Sequence, residues 1–187
     1  MEEDAMTEVD PRPFVGEPFA LDLLNTRWQE HGRQEDLLDT PAGLHVWLAG
    51  HGLAERFPAG AESLQAVRTT RRALAAAVAE PGSPDAARQV DEILDHGRVR
   101  LTLDDEGPGE RAEFTDPHWG AAWTAAQDYR RLLATAPDRI RLCDQPDCIR
   151  YFLDTSRNGT RRWCSMALCG NRAKAARHYA RSRGPRA

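Results

Sequence analysis

All four cysteines of the 187-residue chain, Cys143, Cys148, Cys164 and Cys169, fall within 27 positions, spaced C-x4-C-x15-C-x4-C. Two close pairs joined by a longer excursion suit a tetrahedral ion, because each pair spans one edge and the excursion returns the chain to the metal. Four thiolates fill the shell of zinc and leave no position for water. The spacing therefore predicts one structural Zn2+ per chain and no catalytic residue at the metal. A labile redox pair and an iron–sulfur cluster are the competing chemistries. His178, nine positions beyond Cys169 on a basic stretch, reads as an exposed side chain and not as a ligand.

The cysteines lie in strongly basic surroundings. The chain has 25 basic and 29 acidic residues. From Arg141 onward, ten arginines and Lys174 stand against Asp144, Asp147 and Asp154, a net charge of +8, which leaves −12 on residues 1–140. A basic segment on an acidic body predicts an anionic partner, with nucleic acid the commonest, against the plainer reading of a solvated, solubilising end. The opening segment MEEDAMTEVDPRPF is acidic, without the basic start and apolar stretch of a signal peptide, and no apolar run approaches a membrane span. The expectation is a cytoplasmic protein with no membrane partner, and in that reducing compartment metal binding is favoured over disulfides.

Several elements must position the cysteines. Between the pairs, Ile149, Tyr151 and Leu153 alternate with other residues, Asn158-Gly159 is a strong turn signal, and Thr160 to Trp163 read as a return strand. Tyr151, Phe152 and Trp163 are then the module's own core. A helix over 167–181 follows, with Cys169, Ala173, Ala176 and Ala180 on one side and Lys174, Arg177, His178 and Arg181 on another. The turn adds Arg157, Asn158, Thr160, Arg161 and Arg162, so one metal would fix two cationic elements relative to each other. Arginine forks neutralise phosphates and read guanine edges, which makes these nine residues the candidate DNA contacts. Arg172 falls nearer the alanine side, where its role is support.

Upstream, PFALDLLNTRWQEH reads as an early helix with Leu23, Leu24 and Trp28 toward the core. Thr40-Pro41 starts a short helix carrying Leu44, Trp47 and Leu48. Residues 61–80 form a longer one, with Leu64, Val67, Leu74 and Val78 in a stripe and Arg68, Arg71 and Arg72 largely elsewhere. Ser83-Pro84 starts another, with Gly97 as its C-cap. RVRLTLDDEGPGERAEFT has the alternation of a β-hairpin. Asp116-Pro117 opens a last long helix bearing Trp119, Trp123, Ala126 and Leu133, and Pro137-Asp138 marks a boundary. The predicted architecture is mainly α with a β-hairpin (α+β) over 1–138, followed over 139–187 by a small four-cysteine zinc-finger module of hairpin plus helix, treble-clef-like.

The segment from Phe152 to His178, FLDTSRNGTRRWCSMALCGNRAKAARH, resembles the CGNR zinc-finger family, whose name is spelled by Cys169-Gly170-Asn171-Arg172. FALDLLNTR (Phe19 to Arg27), LHVWLAGHGL (Leu44 to Leu53) and VRTTRRALAAAV (Val67 to Val78) are similar to the ABATE domain that usually precedes this finger. The resemblance implies a bacterial transcription regulator, with the finger as DNA-binding module and the ABATE domain as a sensor or interaction domain for a small-molecule effector or protein partner. It leaves a homodimer open and names neither operator nor effector.

Two other classes compete. A zinc-containing RNA- or protein-interaction module would share the metal, although RNA recognition favours exposed aromatic residues. An enzyme acting in an N-terminal pocket has less support, since the chain carries no P-loop, H-E-x-x-H, G-x-S-x-G or G-x-G-x-x-G motif. Asp22, Asn25 and Trp28 are the candidates for lining such a ligand pocket, against the commoner use of helix-surface Asp and Asn as solvated or capping groups.

Overall fold

The computed structural model describes residues 9–105 and 107–182, the side chains of 177, 178 and 180–182 excepted. The first helix, α1 (Phe19–Leu24), is far shorter than the expected early helix. It ends at Asn25 and Thr26, both weak helix formers, and the Thr26 hydroxyl donates to the Leu23 carbonyl at 2.6 Å. The chain then forms an antiparallel hairpin of β1 (Arg27–Glu30) and β2 (Arg33–Asp36), reversed at His31 and Gly32, whose φ angles of 49° and 79° suit a two-residue turn. Trp28 is buried as expected, but from a strand with exposed neighbours.

Four helices complete the body. α2 (Pro41–Gly50) is capped by the Thr40 hydroxyl, which accepts from the Gly43 amide at 3.2 Å. α3 (Ala61–Ala79) packs on α1 and on α4 (Pro84–Leu94) and α5 (Gly120–Thr135). Leu64, Val67 and Leu74 of its predicted stripe are buried. Arg71, expected away from that stripe, is buried too. Its guanidinium donates to Thr26 Oγ1 at 2.8 Å and to both carboxylate oxygens of Asp36 at 2.6 Å, pinning α3 to the end of β2. Burial opposes ionisation of Asp36, but the hydrogen bonds from Arg71 and Arg27 outweigh it and hold the carboxyl below its usual range.

The predicted long hairpin is present as β3 (Gly97–Asp104) and β4 (Gly107–Phe114), in register from Gly97 opposite Phe114 to Asp104 opposite Gly107. Only its base is packed: Phe114 meets the rings of Phe57 and Trp123, whereas Leu101 and Leu103 are exposed. Gly97 belongs to this strand and not to a helix cap. A Cβ there would stand 2.8 Å from Trp123 Nε1, the atom that donates to the Leu94 carbonyl, so the close approach of the indole explains the glycine.

Beyond α5, β5 (Ile140–Leu142) pairs antiparallel with β6 (Tyr151–Leu153), and α6 (Asn171–Ser182) follows a wide turn over Met166–Gly170. The return strand expected over 160–163 is not formed; the partner of β6 lies upstream instead. Asp154 explains the difference, because its carboxylate accepts from the amides of Ser156 at 2.9 Å and Arg161 at 3.0 Å and closes residues 154–161 into a compact turn. Gly159, with φ 64°, permits the reversal inside it.

The strand β6 divides its side chains between two cores. Phe152 is fully buried with Cys143, Cys164 and Cys169 in the finger, with Cys148 and Trp163 against them. Tyr151 and Leu153, on the opposite face of the pleat, pack on the large core of the body together with Ile140. Tyr151 is therefore not part of the finger's own core, contrary to its expected place.

Candidate metal centre and nucleic-acid face

Three local structures deliver the four thiols. In the first, the Cys143 amide donates to the Arg150 carbonyl at 2.9 Å and the Cys148 amide to the Gln145 carbonyl at 2.9 Å, folding Cys143 to Arg150 into a knuckle at the end of β5. In the second, the Asp154 turn returns the chain so that the Cys164 amide donates to Cys143 Sγ at 3.4 Å. In the third, the Ser165 hydroxyl accepts from the Leu168 amide at 3.3 Å, starting the wide turn that carries Cys169 inward.

The four sulfurs lie within 4.8 Å of one another, with Cys148 to Cys164 at 3.8 Å and Cys164 to Cys169 at 3.6 Å. With Zn–S bonds of about 2.3 Å, a regular tetrahedron has edges of roughly 3.8 Å, so the donor set fits zinc. Cys143, Cys164 and Cys169 are buried and Cys148 is half-buried. All four are free of disulfides.

The electrostatics of the thiols also point to a cation. The hydrogen bond from Cys164, followed by the backbone of Arg150, brings the Cys148 thiol down to about 5. Burial and then the charge of Cys148 push Cys169 up to about 12, and the contact with Cys148 followed by burial pushes Cys164 up as well. The Cys148 thiolate suppresses ionisation of Cys164 and Cys169 at this separation. Ionising all four requires a positive ion among them, and zinc supplies that charge while its ligands supply the complete shell.

Arg161 holds the finger together. Its Nε donates to the Trp163 carbonyl at 2.9 Å, a terminal nitrogen donates to the Cys164 carbonyl, and the guanidinium stacks over Phe152 with its carbon 4.5 Å from the ring centre. These contacts use the fork on the metal-binding loop itself. The other turn residues expected at DNA, Arg157, Asn158, Thr160 and Arg162, are exposed, as is Lys174 on α6. Arg162 pairs with Asp144 at 2.6 Å and lies over the Trp163 ring. The side chains of Arg177, His178 and Arg181 lie outside the described residues. Arg172 is exposed and borders a polar cleft with Asp147, Ile149 and the His31-Gly32 turn.

The candidate pocket residues have separate surroundings. Asp22 is 1% exposed and Asn25 2%, neither solvated as a helix-surface residue would be. Oδ2 of Asp22 accepts from Arg12 at 2.9 Å and from Trp47 Nε1 at 3.0 Å, and lies 2.9 Å from His51 Nε2. Burial works against its ionisation, but the His51 hydrogen bond and the Arg12 charge prevail and hold the carboxyl below its ordinary range. Trp28, on β1, donates to Glu30 Oε2 at 3.3 Å.

Asn25 takes a role other than that of a solvated or capping group. Its side-chain amide donates to the Tyr151 carbonyl at 2.9 Å and its Oδ1 accepts the Tyr151 amide at 2.9 Å, while Glu17 Oε2 accepts the Leu153 amide at 2.9 Å. Body side chains thus occupy the open edge of β6 as a neighbouring strand would. The Asn-Thr pair at the end of α1 was the available hint, since helix formers would have extended the helix there.

The CGNR zinc-finger family model matches residues 139–182, and the ABATE model, described as "Putative stress-induced transcription regulator", matches residues 17–136. Both are regulatory or zinc-finger families and not enzyme families. A comparison with curated proteins finds no match. Among the described residues no helix is long and apolar enough to cross a membrane. The chain therefore belongs to the ABATE family, its ABATE domain followed by a CGNR zinc finger with one structural zinc site.

Proposed function

We propose that the protein is a cytoplasmic, zinc-dependent DNA-binding transcription regulator whose finger contacts duplex DNA through the Asp154 turn and α6. The carrying observation is the exposure of Arg157, Asn158, Thr160, Arg162 and Lys174 on two segments joined through the cysteine cluster, next to a body of opposite net charge. The exposed arginines have the forks that suit phosphate and guanine. Arg177, His178 and Arg181 extend the same basic sequence along α6. Arg161 has the supporting role, as a positioning residue that keeps the loop and Cys164 in place.

The acidic body disfavours DNA elsewhere on the molecule, so contact is local to the finger and strongly dependent on salt. Selection of duplexes from a random pool by the zinc-loaded protein, followed by sequencing, tests this reading. Enrichment of a motif, with affinity falling steeply as salt rises, is expected. Retention of RNA in preference to duplex DNA, or no retention of either, would sink it.

A further inference from the structure

A groove of about 380 Å3 lies between the C-terminal half of α3, α4 and α5, lined by Val78, Ala87, Val90, Leu94, Tyr129 and Leu133 among others. Pro137, in the link from the body to β5, and Ile140, the first residue of β5, form part of its wall. At the deep side, Tyr129 is only 4% exposed, and its hydroxyl has no hydrogen-bond partner among the described residues. Burial alone raises its pKa. The enclosed, unpaired side-chain oxygens among the described residues are Asp22 Oδ1 and Ser63 Oγ, so the Tyr129 hydroxyl keeps contact with solvent and can exchange it for a partner brought into the groove.

From the groove we infer a binding site for a small, uncharged, largely apolar molecule carrying one hydroxyl or carbonyl, with Tyr129 as the hydrogen-bonding anchor. The volume lies in the range of small-molecule pockets, and an apolar wall with one directed polar group is their usual composition. Glu80 and Asp91 stand at the rim against the single cation Arg130, a balance that disfavours an anionic ligand. The site is separate from Asp22, Asn25 and Trp28. Because Ile140 pairs with Leu153 in the sheet that leads into the finger, an occupant touches the element on which the zinc module is built. An effect on DNA affinity would rest on the DNA-binding reading above; the binding itself does not.

The test therefore contains no DNA. The full-length, zinc-loaded protein is titrated with the neutral fluorophore N-phenyl-1-naphthylamine, which is then displaced by 1-naphthol or by naphthalene. Saturable binding of one fluorophore per chain is expected. Ala87→Trp, at an exposed position of α4, fills the groove and should weaken binding at least tenfold while zinc content and far-UV circular dichroism stay unchanged. Tyr129→Phe should lower the preference for naphthol over naphthalene about three- to tenfold, the worth of one hydrogen bond. Unaltered fluorophore binding in Ala87→Trp, or an unaltered naphthol preference in Tyr129→Phe, would overturn the inference. So would a dimer in sedimentation analysis that Ala87→Trp dissociates, because a second copy would then be the occupant.

Discussion

Asn25 and Tyr151, 126 positions apart, exchange two hydrogen bonds of 2.9 Å, so that one body side chain completes the backbone ladder of a finger strand. The amide matches the peptide group it faces, donor to acceptor and acceptor to donor. This makes the finger and the body mechanically continuous at β6, with Glu17 extending the contact to Leu153. A change in one part has a direct route to the other.

Replacing Asn25 with alanine leaves the amide and carbonyl of Tyr151 unpaired. The expected cost is about 1 to 3 kcal/mol. Hydrogen exchange at the amides of Tyr151 and Leu153 should accelerate while α3 and α5 keep their protection. Unchanged exchange at Tyr151 would show that this contact does not hold the strand.

For the metal, Cys164→Ser should abolish stoichiometric zinc and unfold the finger, because its small core is built from the ligands and Phe152. The helical body has its own core and should retain its circular dichroism. Elemental analysis of the wild type should give one zinc per chain. Absence of metal, or the visible absorption of an iron–sulfur cluster, would contradict the assignment.

Two neighbouring arginines separate support from contact. Arg161→Ala removes the bonds to the carbonyls of Trp163 and Cys164 and should destabilise the finger by about 1 to 3 kcal/mol, seen as faster zinc transfer to a chelator. Arg162→Ala should leave zinc retention unchanged and reduce the salt slope of DNA binding by about one unit. Equal zinc loss in both variants would refute this division of roles.

The Asp22 cluster predicts a specific response to acid. Its folded carboxyl titrates below the unfolded value of about 3.9, so its contribution is present above that value and is lost as pH falls through the lower folded value. Asp22→Asn should remove this part of the acid dependence and lower stability at neutral pH by about 1 to 3 kcal/mol, since Arg12 loses one charged partner and keeps Asp10 at 2.7 Å. Denaturant titrations at pH 7 and below pH 4 measure both. A variant with wild-type stability at pH 7 would contradict the role given to the pair.

The cysteine spacing determined the metal centre by itself, because two close pairs reach one ion through local turns whatever the remaining fold. The helical stripe of Leu64, Val67 and Leu74 and the long hairpin were legible for a similar reason: periodicity records which face a segment buries. What the tertiary structure decided were choices among partners. Trp28 satisfies a helix or a strand equally well by sequence, and only the turn at His31-Gly32 and pairing with β2 select the strand. The alternation over residues 149–163 suits a downstream return strand as well as the upstream pairing of β6 with β5, and the choice falls upstream only when the Asp154 carboxylate takes the amides of Ser156 and Arg161. Asp22, Asn25 and Arg71 are polar residues whose local signal is solvation. Each is withdrawn from solvent because a distant group supplies the hydrogen bonds that water would have made, and that compensation exists only when the chain has folded.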